Sequence, residues 1–296
     1  MTTLWAALGL LANAFTWGVS WWPFRQLQDQ GLHPLWATAL IYLLAVVVLL
    51  ALRPASLRHF AAPSALWALL VAAGLTNVGF NWAVTVGDVV RVVLLFYLMP
   101  AWSVLLAWPI LGEKPTRGSL ARLALALVGV VVVLKTPETP WPWPHDMADL
   151  LALMGGFAFA LTNILLRKLH GSVPESATML AMFGGGAVMA TLAALFGMSH
   201  GVVTALPPLE LLWAWWVVGL SLFILAGNGG LQYGAARLSA SATSIIMLSE
   251  IVFASGSSVW MGAAELSVRT LAGGALILVA AVWSALTPDS AAAAQP

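Results

Sequence analysis

The chain has 296 residues, 61% of them hydrophobic and only 8% charged, with a mean hydropathy of +0.95. A soluble domain carries roughly a quarter charged residues, so this composition excludes a solvated globular surface and marks an integral membrane protein. A net charge of +1 offers no surface for nucleic acid, and the absence of cysteine excludes disulfides and thiolate metal sites.

Ten apolar stretches follow, at 4–24, 34–52, 65–84, 89–111, 119–135, 147–166, 176–197, 211–233, 240–262 and 268–287. Each approaches the roughly 20 residues that a helix needs to cross the hydrocarbon core. They predict an all-α integral membrane fold of ten transmembrane helices. In the first stretch Ala12-Asn13-Ala14 imitates a signal-cleavage site, but no basic residue precedes it and the apolar run continues past it. It is therefore read as a membrane helix. Glycine and proline punctuate the breaks at 31–34, 112–115, 171–174 and 206–208. The longest connector, 136–146, is rich in proline and tryptophan and predicts a stiff interfacial link. Most of the 16 tryptophans are expected at the interfaces or facing lipid, among them Trp5, Trp36, Trp141, Trp143, Trp213, Trp215, Trp216 and Trp283.

Basic residues set the orientation. With the N-terminus inside, the cytoplasmic connections hold Arg53, Arg58, Lys114, Arg117, Arg122, Arg167, Lys168 and Arg237, against Arg25, Arg91, Lys135 and Arg269 opposite. This predicts a multi-pass protein of the cell inner (plasma) membrane with both termini cytoplasmic. Asp88 and Arg91, where the fourth stretch begins, are spaced to pair with each other at i, i+3.

That fourth stretch carries Tyr97-Leu98-Met99-Pro100 midway. A proline removes a backbone donor and frees a carbonyl one turn back, which in lipid is tolerated only where protein or a water-filled cavity satisfies it. Pro100 is thus a candidate hinge and Tyr97 a candidate ligand contact. In the ninth stretch Glu250 lies at the same depth.

An internal repeat links the two. Asn77 and Asn81 recur as Asn228 and Gln232 at a shift of 151, each pair at i, i+4 on one helix face. Leu120-Ala121 recurs as Leu271-Ala272 at the same shift, while Phe15 and Arg25 match Phe157 and Arg167 at a shift of 142. The halves are 1–145 and 146–296, five stretches each. An odd number of spans per half inverts the topology of the second, an arrangement that places a substrate site near the midplane.

The chain resembles the drug/metabolite transporter superfamily, specifically its ten-helix exporters built from two EamA domains. The motifs are Pro100 followed by Gly112-Glu113, and Leu248-Ser249-Glu250-Ile251-Val252-Phe253-Ala254, which matches Leu-x-Glu-Pro-x-Phe-Ala except at Ile251. The missing proline is expected to remove the helix break from the ninth stretch. Tyr97-Leu98-Met99-Pro100 is similar to the Tyr-Leu-Trp-Pro of YddG-type aromatic amino-acid exporters. The resemblance implies a cavity among helices one, three, four, six, eight and nine.

A zwitterionic headgroup wants partners that both donate and accept, as amides do, and an aromatic side chain wants flat walls. The candidate substrate contacts are accordingly Trp17, Trp21, Asn77, Phe80, Asn81, Tyr97, Phe159, Asn163, Asn228, Gln232 and Glu250, with Pro100, Gly227 and Gly230 as hinge points. Each amide equally suits a structural bond between helices, and the glycines around 227–230 suit close helix packing. Glu250 is the one carboxylate near the middle of a span, where a charge costs several kcal/mol and function is the default reading. Proton coupling, a counter-charge for an amine and a structural hydrogen bond all remain open for it.

The expected function is a secondary transporter exporting small amphipathic metabolites, with aromatic and other neutral amino acids foremost, by alternating access of inverted repeats. No nucleotide-binding loop is present and no cofactor is expected. The expected partners are a small-molecule substrate and the lipid bilayer, with no nucleic acid; a monomer suffices. Aromatics around Glu250 also suit a cationic drug such as a quaternary amine. A phosphorylated cargo would want Lys or Arg at mid-span, and none is there. A membrane-embedded lipid-modifying enzyme would need clustered Asp, His or a nucleophile–base set, whereas the five histidines are scattered among loops.

Overall fold

The computed structural model describes residues 2–61, 64–112, 114–134, 144–169, 171–235, 237, 246–264 and 267–286. Among the described residues every regular element is helical: α1 (Thr2–Val19), α2 (Trp21–Asp29), α3 (Pro34–Leu52), a 3-10 helix (Pro54–Ala61), α4 (Ser64–Val86), α5 (Val89–Phe96) and α6 (Met99–Leu111) lead to α7 (Arg117–Leu134). Then come α8 (Met147–Leu169), α9 (Glu175–Ser199), α10 (Leu211–Ala235), α11 (Ser249–Trp260) and α12 (Val268–Leu286). Among the described residues six segments are long and apolar enough to cross a membrane: Pro34–Leu52, Ala65–Val86, Val89–Leu111, Met147–Leu169, Glu175–Ser199 and Leu211–Leu231. The chain is a multi-pass membrane protein.

The first apolar stretch, expected as one helix, is two. Pro23 has no N–H, and in a continuous helix its ring would meet the carbonyl four residues back, at Val19, where α1 ends. Ser20 lies at the break, and its hydroxyl donates to Trp17 O at 2.9 Å. The fourth stretch breaks as the sequence predicts: α5 stops at Phe96, Tyr97 and Leu98 form a turn, and Pro100 sits in the first turn of α6, where its missing N–H is no loss. At the end of α6, Gly112 takes a left-handed φ of 76°, closing the helix as a glycine C-cap. Glu113, expected as an anchor there, lies outside the described residues, as do Trp141 and Trp143.

The ninth stretch overturns an expectation. Despite Ile251 in place of proline, it breaks too. Residues 246–247 are helical, Leu248 is a turn residue, and α11 starts at Ser249. Leu248 is 151 positions after Tyr97, so the two breaks are repeat-equivalent. The second is held by side chains rather than by a proline: Ser249 Oγ donates to Ile246 O at 2.6 Å, and the Tyr97 hydroxyl lies 3.2 Å from Met247 O.

The helices pack in matched pairs. α4 runs along α8 and α9; α10 runs along α1 and α3. α5 and α6 lie against α8, and α11 lies against α1, while α3 meets α9, α5 meets α11 and α7 meets α12. Exchanging each helix for its counterpart in the other half returns the same set of neighbours. Individual contacts follow suit. Trp102 stands edge-on to Phe157 at 5.5 Å, and their counterparts Phe253 and Phe15 do the same at 5.3 Å.

Small residues permit this closeness. A Cβ on Gly9 would stand 2.8 Å from Gly230 O, and one on Gly79 would stand 2.7 Å from Leu151 O, the repeat-equivalent contact. With lipid tails as apolar as the side chains, such backbone approach is what holds membrane helices together. The expected hinge at Gly227 and Gly230 therefore falls on an unbroken α10, whose glycines seat Thr16 and Gly9 of α1. Trp213 departs from its interfacial assignment: it is buried, and its indole N–H donates to Pro208 O at 3.1 Å.

Two measurements test this packing. Gly230→Val is expected to lower the thermal midpoint in detergent, with overpacking costing about 1–3 kcal/mol. Gly229→Ala, where a Cβ meets nothing within 4 Å, is expected to leave it unchanged or raise it slightly. His33 supplies the second. Its Nδ1 accepts the Leu35 N–H at 3.2 Å to cap α3, which requires an unprotonated nitrogen, and burial lowers its pKa below the ordinary 6.5. The unfolded chain then binds the proton more readily, so this group's stabilisation is full above pH 6.5 and is lost as pH falls below it. In melts across that range His33→Asn, which caps without titrating, should lose less stability on acidification than wild type.

Candidate functional site

The two broken spans meet. Tyr97, the C-cap of α5, directs its hydroxyl into the first turn of α11 and donates to Glu250 Oε2 at 2.9 Å. Both side chains are buried, Tyr97 at 2% and Glu250 at 7% exposure. The contact crosses the boundary between the two halves of the sequence. A break is what makes this possible, because each span there changes direction and presents its turn, rather than a side of the helix, to the other.

Around this pair the structure gathers aromatic rings from four helices. Trp17 of α1 packs edge-on to Phe80 of α4 at 6.1 Å. Phe80 lies 4.8 Å from Phe96, which in turn lies 5.5 Å from Phe159 of α8 and 6.3 Å from Tyr97. Of the predicted contacts, Trp17, Phe80, Tyr97, Phe159 and Glu250 are thus connected. Phe96 was missed; its place beside Tyr97 at the break was the signal. Gly156 lets α8 press against this turn, since a Cβ there would stand 2.5 Å from Phe96 O.

Trp21 has a different task. Beyond the break at Ser20 its indole N–H donates to Ser257 Oγ of α11 at 2.9 Å. It lines an open groove of about 810 Å³ between α1, α2, α10 and α11, with Phe15, Trp22, Trp216, Phe223, Phe253 and Trp260 among the walls. Neither Tyr97 nor Glu250 lines that groove.

The amides divide by what they already bind. Asn77 accepts from the Tyr42 hydroxyl and donates to Ala73 O at 2.8 Å. Its repeat partner Asn228 donates to Ile224 O at 3.0 Å, the equivalent bond one half later. Both therefore serve the helices that carry them. Asn81 is fully buried and donates to Thr38 Oγ1 at 3.2 Å, while its carbonyl has no partner among the described residues. Asn163 is half-buried on α8. The side chain of Gln232 lies outside the described residues, as does that of Pro100.

Asn13, not singled out among the candidate contacts, stands apart. It is 1% exposed on α1, one turn before Trp17, and neither its amide nitrogen nor its oxygen has a partner among the described residues. Leaving a buried amide unpaired costs about 1–3 kcal/mol, so this group awaits a ligand or water. A lone asparagine in an apolar helix was the available signal, and its resemblance to a cleavage site drew attention elsewhere.

Residues 4–135 match the EamA-like transporter family. The match runs from α1 to the end of α7 and includes the Tyr97 break. A crystal structure of a protein 18% identical in sequence shares the fold, at a TM-score of 0.59 over 98% of this chain and 99% of that one. No curated protein matches the chain. The fold likeness thus extends over both halves, while the family match covers the first.

One ionic expectation within the EamA-like segment is corrected. Asp88 does not pair with the Arg91 guanidinium. Its carboxylate accepts the Arg91 backbone N–H at 2.8 Å as the N-cap of α5, and the guanidinium reaches Asp149 of α8 instead. A cap geometry wins at i, i+3 because the helix's first N–H groups need acceptors.

The Tyr97–Glu250 bond is open to a double-mutant cycle. With Tyr97→Phe and Glu250→Met, thermal unfolding in detergent should show a coupling of about 1–2 kcal/mol, the range for a buried hydrogen bond. Additive effects would place the two groups apart.

Proposed function

We propose that the chain is a secondary transporter that exports small amphipathic metabolites, foremost aromatic and other neutral amino acids, by alternating access of two inverted repeats, 1–145 and 146–296. The observation that carries this reading is the Tyr97–Glu250 contact: two interrupted spans, one from each half, meet at a buried carboxylate beside a wall of aromatic rings. Broken helices at membrane depth belong where backbone lines a cavity or is buried in protein, and paired breaks in corresponding positions of two halves mark transporter sites. The exchange-symmetric packing supports the repeat, and the EamA-like match to residues 4–135 supports transport.

The chemistry divides between two ends of a substrate. Trp17, Phe80, Phe96 and Phe159 offer faces and edges to a flat ring, while Glu250 and the Tyr97 hydroxyl meet an ammonium group. Asn13 and the Asn81 carbonyl, unpaired in the apolar interior among the described residues, add hydrogen-bonding capacity without fixed charge. Glu250 then acts as the counter-charge for the amine, and replacing its hydrogen bond to Tyr97 with one to the substrate loosens the junction between halves. The excess of basic residues on one set of connections supports cytoplasmic termini.

The test is flux in proteoliposomes. Counterflow of tryptophan, phenylalanine and threonine is expected for the wild type, with Glu250→Gln and Tyr97→Phe each reducing it at least about tenfold, the order of a lost charged contact. Transport of quaternary amines in preference to amino acids would move the cargo to cationic drugs; flux of neither class would end the transporter reading. Asn13→Ala separates a substrate amide from a structural one. It should leave thermal stability unchanged or higher, because it removes an unpaired buried group, while raising the apparent KM.

A further inference from the structure

Away from the midplane, the start of α5, the start of α8 and the end of α7 converge on one charged contact. Arg91 donates through Nε and Nη2 to the two carboxylate oxygens of Asp149, both at 2.7 Å, and through Nη1 to Val133 O at 2.8 Å. Asp149 Oδ2 also accepts the His145 backbone N–H at 2.8 Å, and Asp146 caps the Asp149 N–H at 2.9 Å. The Asp149 side chain is 1% exposed and that of Arg91 19%. Next to it Arg25 of α2 donates to Gly87 O at 2.5 Å, and Gly87 lies so close to Ala148 that a Cβ would stand 2.5 Å away.

This contact joins the two halves. Arg91 and Val133 belong to the first, and Asp149 to the second. Its counterpart in the other half would fall at Ala242, 151 residues after Arg91, and at Ala7, 142 before Asp149. Both are alanines, so no ion pair can form between those positions. Two faces that a repeat would otherwise make alike therefore differ in the chemistry at this point.

We propose that the Arg91–Asp149 pair is a one-sided gate latch, holding shut the membrane face at which α5 and α8 begin. The proposal rests on the alternating-access reading above. A bidentate guanidinium–carboxylate pair is among the strongest polar contacts a protein makes. Parting it while it is shielded from water leaves two charges uncompensated, which is far costlier than parting apolar side chains. The resting population therefore has this face closed, and the opposite face, with alanines at the equivalent positions, opens first. Arg91 and Asp149 act as positioning residues: they set the equilibrium between conformers and touch no substrate.

Because the chain has no native cysteine, single introduced thiols report each face. Ala152, one turn deeper than Asp149 on α8, and its repeat counterpart Leu10 on α1 are both fully buried. In detergent, Ala152→Cys should react slowly with an impermeant maleimide. Adding Asp149→Asn or Arg91→Gln should speed that reaction about tenfold or more while leaving Leu10→Cys no faster, and the exchanged pair Arg91→Asp with Asp149→Arg should restore protection. Unchanged Ala152→Cys labelling in a folded, monodisperse variant would overturn the latch, as would equal acceleration at both thiols, which signals general loosening. If the exchanged pair fails to restore protection, the contact is structural rather than a latch. Amino-acid flux measured on the same preparations keeps the two ideas apart. Flux without one-sided labelling removes the latch alone, and absence of flux removes the transport reading.

Discussion

The constraint on which this structure depends is that a backbone carbonyl in lipid must find a donor within the protein. Two apolar spans stop being helical partway across, at Tyr97-Leu98 and at Leu248, and each break frees main-chain groups that no solvent can satisfy. Ser249 and Tyr97 supply donors on one side, and α8 covers the other through the absent side chain of Gly156. Once that requirement is met, the geometry of the centre follows. The turns are driven inward and against each other, and Glu250 arrives beside a tyrosine hydroxyl because it belongs to the first turn after a break.

Around the centre, stability comes from close backbone approach rather than from bulk. Gly9 against Gly230, Gly79 against Leu151, and Gly129 against Gly273 are all contacts that a methyl group would push apart. Between such seams the polar groups sort into two kinds. Asn77, Asn228, Thr76 and Thr162 return their hydrogen bonds to their own helices, four residues back. Asn13 and the carbonyl of Asn81 keep theirs unmade among the described residues. A protein that leaves amides unpaired in its apolar interior carries a penalty that substrate binding can relieve, which ties the energetics of folding to those of recognition.

The near-symmetry of the packing makes the asymmetries informative. The first half reaches its break with a proline and the second with none; one face carries a bidentate ion pair and the equivalent positions opposite carry two alanines. Two similar halves built from the same contacts would give a machine with no preferred state. The charged contact at one end supplies a bias, while the shared scaffold keeps the other conformer within reach.

Composition alone determined that the chain lies in a membrane, and hydropathy located most of its helices to within a few residues, because burying apolar surface in lipid leaves a strong one-dimensional signal. The kinship of Asn77 with Asn228 was legible in their spacing, and the break at Tyr97 in the proline that follows it, since both depend on residues close in sequence. Ser20 and Leu248 were not legible as breaks: a proline's clash with the carbonyl four residues back and a tyrosine from about 150 residues away are tertiary or near-tertiary facts. The same holds for the partners. Which carboxylate Arg91 would take, whether Trp213 would face lipid, and that Phe96 would join Tyr97 at the centre were decided only when helices distant in sequence came to share one interior. Spacing along a helix says which side chains share a face, but not what that face will meet.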